Sequence, residues 1–224
     1  MSQIRIIFEE KPLTQSRFNE IEKYVLEYFL ALWDNIRDSI YALRKNDTKF
    51  IKGELSLMFI GADSLSRFRE IIITGKEEKN NEDRFREWFD DFVFNERNEA
   101  YKNYKKEINC DSSTVWKLRN SLLHFYGLPK LKSEYVGFGT LDESFIKKFR
   151  VLVSQNHGGK QARLINPYRL IEAILGGFLA QGEALAKMIS GNNDTEKETY
   201  VRGIIKCYEI IQDEGTVHVP FEKK

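Results

Sequence analysis

Only 4 of the 224 residues are proline, so long stretches of this chain can run as uninterrupted helix. The apolar residues carry the matching period. From about Thr14 to Leu43, Phe18, Ile21, Val25, Phe29, Leu32, Ile36 and Ile40 recur at three- and four-residue steps, the stripe of a long amphipathic helix. Asn46-Asp47-Thr48 reads as a turn and N-cap. A second helical pattern runs from Lys49 to Ile73, with Leu55, Phe59, Ala62, Leu65, Phe68 and Ile72 on one side, and ends at Gly75. The polar stretch after it reads as a surface loop. A third segment, Glu82 to Phe94, puts Phe85, Trp88, Phe89 and Phe92 on one face, and residues 95–109 read as its frayed polar continuation. Asp111-Ser112-Ser113 is an N-cap cluster that opens a fourth helix, Thr114 to about Tyr126, stopped by Gly127 and Pro129.

Beyond residue 130 the pattern changes. Glu134–Thr140 and Phe145–Ser154 are rich in Val, Phe and Tyr and read as two strands joined at Leu141-Asp142-Glu143, a small β-hairpin. Asn166-Pro167 supplies an N-cap and a first-turn proline for a fifth helix reaching about Ile189. A last helix runs from Asp194 or Thr195, with Glu198 placed for a capping box, to about Gln212. The expected fold is mainly α: one domain over residues 1–224, with a core bundle at about 14–126. A β-hairpin insertion at about 134–154 then precedes two C-terminal helices within 166–212.

Composition narrows the class of function. Hydrophobic residues make up 42 % and charged residues 31 %, the balance of a globular chain. The formal charge is +1, which argues against a strongly basic duplex-DNA binder. Cys110 and Cys207 lie far apart with no CxxC, which excludes a disulfide scaffold and a recognisable zinc site. No cofactor is expected: Gly137-Phe138-Gly139 lacks a third glycine, and Gly158-Gly159-Lys160 lacks the Walker spacing. No apolar run is long enough to span a bilayer, and charges interrupt the N-terminal apolar stretch. A soluble cytoplasmic protein without membrane partners is expected.

Three histidines occur. His157 sits in a Gly-rich turn and His218 in the C-terminal tail, where each reads as solvated. His124 lies near the end of the fourth helix. Projected at 100° per residue, Val115, Leu118, Leu122 and Phe125 form a stripe about 80° wide, an ordinary core face. Arg119, Leu123, Trp116, Asn120 and His124 span about 140° of the other side, mixing apolar and functional groups. A helix patterned this way is expected to be covered on both sides, the second cover being another copy of the chain. Asn120 and His124 are four apart, so the amide is placed to orient the imidazole. Asp63, an acid within an apolar stretch of the second helix, either faces Arg119 across the bundle or belongs to a plain polar face.

Arg119-Asn120 followed by His124, inside a late helix of a helical series, resembles the HEPN superfamily signature. Extended by Phe125-Tyr126, the run resembles the Arg-x4-His-x-Tyr form of HepT-like toxins. The resemblance covers about residues 14–126. It implies a HEPN-like bundle and a metal-independent endoribonuclease, of the kind found among toxins and defence ribonucleases. The implied partners are a second copy of the chain, an RNA substrate and an antitoxin protein. The implied site residues are Arg119, His124, Asn120 and an accessory Tyr126. The alternative is a non-catalytic HEPN-like module that binds RNA or protein as a dimer.

The residue types suit that chemistry. Cleaving RNA without metal needs a base for the 2′-hydroxyl, an acid for the departing 5′-oxygen, and positive charge beside the phosphorane. Imidazole serves as acid or base near neutral pH, and guanidinium offers a planar fork to phosphate oxygens. One His per chain is few for both proton transfers, and a two-fold dimer supplies a second. Residues 102–163 contain 12 Lys or Arg against 5 Asp or Glu, a net of +7 hidden within the neutral total. That segment suits a phosphate backbone; equally, lysines on a strand protect an exposed edge.

Overall fold

The computed structural model describes residues 7–8, 11–46, 50–125, 127–129, 134–139, 142–156, 160–190 and 194–213. Among them are eight α-helices, α1 to α8, one π turn, and two small sheets.

Ile7–Phe8 (β1) and Lys11–Pro12 (β2) pair antiparallel ahead of α1, Gln15–Asn46. Thr14 caps α1: its hydroxyl accepts from the Arg17 N–H at 3.2 Å and its carbonyl from Phe18 at 2.9 Å. The expected stripe is the buried face, with Phe18, Ile21, Val25, Phe29, Ile36 and Ile40 all in the core. α2, Ile51–Thr74, starts with Phe50 at the cap position and no side-chain cap bond. Asp47 and Thr48 of the expected cap lie outside the described residues. Leu55, Met58, Phe59, Ala62, Phe68, Ile71 and Ile72 are buried because α2 is the central helix, touching α1 and four elements introduced below. It ends where Gly75, in the left-handed region at φ 76°, turns its N–H back to the Ile71 carbonyl at 2.8 Å.

α3, Asn81–Trp88, runs into a π turn at Phe89–Val93, and Phe85, Trp88 and Phe89 are fully buried. The polar stretch after it is not a frayed continuation. It holds a separate helix, α4, Glu99–Ile108, which Asn98 starts. The Asn98 side chain accepts from the Tyr101 N–H and donates to the Phe92 and Ala173 carbonyls, so a buried amide caps one helix and staples two neighbours. α5 spans Ser112–Phe125.

The hairpin is overturned. Glu134–Phe138 (β3) pairs in parallel with Gln161–Ile165 (β4), and the stretch expected as the second strand is a helix, α6, Glu143–Asn156. Parallel neighbours require a crossover connection, and α6 is that crossover. Asp142 starts it, its carboxylate accepting from the Phe145 N–H at 3.0 Å. Gly137 and Gly139 leave room for Phe149 and Phe145 of α6 to lie directly on the β3 backbone, where a Cβ would collide with both rings. Val136 and Ile165, facing the other way, join the main core.

α7, Pro167–Ser190, begins as expected, with Asn166 accepting from the Tyr168 and Arg169 N–H groups. α8 spans Asp194–Asp213. These two helices complete the bundle: α7 packs on α2, α4 and the π turn, and α8 on α1 and α2. One core gathers Phe59, Phe85, Trp88, Leu118 and Ile171, and a second gathers Val25, Phe68, Ile72, Ile204 and Cys207. No helix among the described residues is long and apolar enough to cross a membrane.

Candidate functional site

α5 is set by its first turn. The Asp111 carboxylate accepts from the Thr114 N–H at 2.7 Å and its carbonyl from Val115 at 2.9 Å. Burial acts to raise the Asp111 pKa. The bonds from Thr114, with Arg163 and Lys117 nearby, outweigh it and hold the carboxyl below the ordinary range. At the other end the Gly127 N–H donates to the Ser121 carbonyl at 3.1 Å, closing the helix. Val115, Leu118 and Leu122 are buried as the projection requires. The side chain of Phe125 and all of Tyr126 lie outside the described residues, as do His157 and His218.

Arg119 sits at the margin of the buried face, its side chain 16 % exposed. One terminal nitrogen donates to Asp63 Oδ2 on α2, and the other to Asn120 Oδ1 at 2.9 Å. The guanidinium carbon lies 5.0 Å from the Trp116 ring centroid, a cation–π contact. Trp116 in turn packs on Phe85 of α3, ring centroids 5.4 Å apart. Arg119 is thus fixed from three directions. Its Nε and Asp63 Oδ1 are buried and, among the described residues, have no hydrogen-bond partner. Of the two places weighed for Asp63, the structure selects the one facing Arg119.

Two expectations change. Asn120 accepts from Arg119, so this amide oxygen orients the guanidinium. The second side of α5 is covered in part by the chain itself: α2 covers Arg119 and α3 covers Trp116. Asn120 and Leu123 remain half-buried, and His124 is exposed about 140° around the helix from Arg119. Arg119, Asn120, Trp116 and Asp63 are therefore brought together, with His124 facing outward beyond them.

The surroundings divide the basic segment. Lys102, Lys105 and Arg163 are ion-paired with Glu99, Glu96 and Glu134. Lys117, Lys147, Lys148 and Arg150 are exposed. Lys130 and Lys132 lie outside the described residues. Because 145–154 is helical, protection of a strand edge does not account for Lys147, Lys148 and Arg150. Burial pushes the Cys110 and Cys207 thiols above their usual range, which leaves neither as a ready nucleophile. Among the described residues no group of three His, Cys, Asp or Glu is placed to hold a metal ion. A groove of about 300 Å³ along α3 is lined by Lys79, Asp83, Arg86, Glu87 and Asp90, and none of the expected site residues lines it.

Fold and site together define a class: a mainly α bundle that seats a guanidinium among an aspartate, an amide and an indole, five residues before an exposed imidazole. Comparison with protein-family models, with curated proteins and with solved structures returns no match.

Proposed function

We propose that this chain is a metal-independent endoribonuclease of HEPN type, acting as a two-fold dimer. The observation that carries the reading is the pre-set Arg119, fixed by Asp63, Asn120 and Trp116 on the helix that exposes His124. Pre-organised positive charge contributes most where charge develops in the transition state. The imidazole is exposed on that helix. In the dimer one His124 takes the 2′-hydroxyl proton and the second protonates the departing 5′-oxygen. The 2′-oxygen displaces that oxygen from phosphorus, leaving a 2′,3′-cyclic phosphate. Arg119 stabilises the phosphorane, which requires it to shift part of its bonding from Asp63 to a phosphate oxygen. The toxin or defence setting, with an antitoxin partner, belongs to the same proposal.

A second reading is favoured by the engagement of Arg119 itself. A guanidinium already ion-paired and largely covered serves the fold, and the domain then binds RNA or protein without cutting. RNA cleavage in EDTA separates the two. The catalytic reading requires cyclic-phosphate products from wild type and none from His124→Ala. Uncleaved RNA with wild type, or equal cleavage by His124→Ala, selects the binding module.

A further inference from the structure

We infer that α6 and the β3 strand beneath it form a platform for single-stranded RNA, apart from Arg119 and His124; this rests on the RNA reading above. Most arginines of this protein are ion-paired, Arg37, Arg69, Arg119, Arg163, Arg169 and Arg202 among them. On α6, by contrast, the side chains of Lys147, Lys148 and Arg150 are exposed and make no ion pair or hydrogen bond among the described residues. Lys148 lies one turn from Phe145, on the flank of α6 where aromatic surface is exposed. Phe145, 41 % exposed, stacks with Phe149 at an interplanar angle of 4° and a centroid distance of 6.5 Å. Tyr135 of β3, 36 % exposed, continues the surface, its ring 6.1 Å from Phe149. The glycines at 137 and 139 hold these rings against the strand, so the platform is seated on backbone.

Cations without a partner among the described residues, on the helix that carries exposed aromatic rings, match a chain of phosphates carrying unstacked bases. A bilayer is the poorer match. An interfacial helix needs one continuous apolar face turned outward, whereas the apolar face of α6 is centred on the sheet. Its exposed apolar residues fall in two places, Phe145 and Leu152 on one flank and Val151 farther round, with Lys148 between them and Lys147 and Arg150 beyond Val151. The platform is also tied to the helix of the site. Arg163 of β4 pairs with Glu134 at 2.7 Å and reaches Thr114 in the first turn of α5 at 3.3 Å.

The test is fluorescence anisotropy with a labelled single-stranded RNA of mixed sequence, in EDTA. The full chain carries His124→Ala so that the strand is not consumed, and wild-type cleavage is assayed in parallel. Phe145→Ala is expected to weaken binding about tenfold. Lys147→Gln with Lys148→Gln is expected to reduce the slope of log affinity against log salt by about 1.4. The lysine pair is exposed, so this variant keeps the experiment decisive if Phe145→Ala melts early. Variants that bind like their parent overturn the platform, while wild-type cleavage then judges the catalytic reading separately. Weakened binding in the variants with no cleavage by wild type supports the platform and removes the nuclease. A parent that binds no RNA overturns the platform, with wild-type cleavage again judging the catalytic reading, and Phe145-dependent capture by phosphatidylserine vesicles in its place assigns the surface to membranes.

Discussion

Arg119 and His124 lie on one helix, yet they meet different physical demands. The guanidinium is largely desolvated and opposed by Asp63, so removing the carboxylate charge leaves a cation with poor compensation. Asp63→Asn is expected to destabilise the fold by about 1–3 kcal/mol, measured by urea unfolding. His124 is exposed, and His124→Ala is expected to change stability by about 0.5 kcal/mol or less while abolishing cleavage. A large loss of stability in His124→Ala would assign the imidazole to the fold. Arg119→Lys keeps a charge but loses the planar fork that Asp63, Asn120 and Trp116 together orient. Cleavage by this variant is expected to fall about a hundredfold or more. The Arg119–His124 spacing was legible because it is local. Asp63 was legible only as an acid out of place, since its partner is 56 positions away.

Among the elements, caps were the most readable feature. Asp111 and Asn166 start their helices through side-chain bonds to N–H groups two or three residues on, a range that sequence spans directly. Asp111→Ala is expected to cost about 1 kcal/mol. Its carboxyl is held below the ordinary range, so the stabilisation is complete above about pH 4 and lost as pH falls through the native value. Thermal melts of Asp111→Ala and wild type should therefore converge in acid. The sequence of α6 reads as strand because Phe145, Ile146, Phe149, Val151, Leu152 and Val153 crowd one stretch, and β-branched and aromatic residues favour strands. The cap at Asp142 and the parallel pairing of β3 with β4 decide for helix. β4 carries no local signal, because its register is set by β3, 27 residues earlier, rather than by a turn. Gly137→Ala, which drives a Cβ into Phe149, should loosen this unit and lower the melting temperature by several degrees.

For the whole molecule, the outstanding expectation is assembly. α2 and α3 already cover Arg119 and Trp116, so a dimer contact on α5 is confined to its Asn120, Leu123 and His124 side. Sedimentation at micromolar concentration should give twice the mass of the chain. A monomer would leave each site with one imidazole and remove the acid–base pair. Sequence by itself determined the helical character, the helix starts at Gln15, Ser112 and Pro167 to within two residues, and the candidate Arg119–His124 helix. Those features depend on periodicity and capping, which act within a turn or two of chain. Tertiary structure alone decided the parallel β3–α6–β4 unit, the place of α7 and α8 within the bundle, and the seating of Arg119 on Asp63. Each of these joins groups many residues apart, and only packing chooses which of several permitted partners comes within reach.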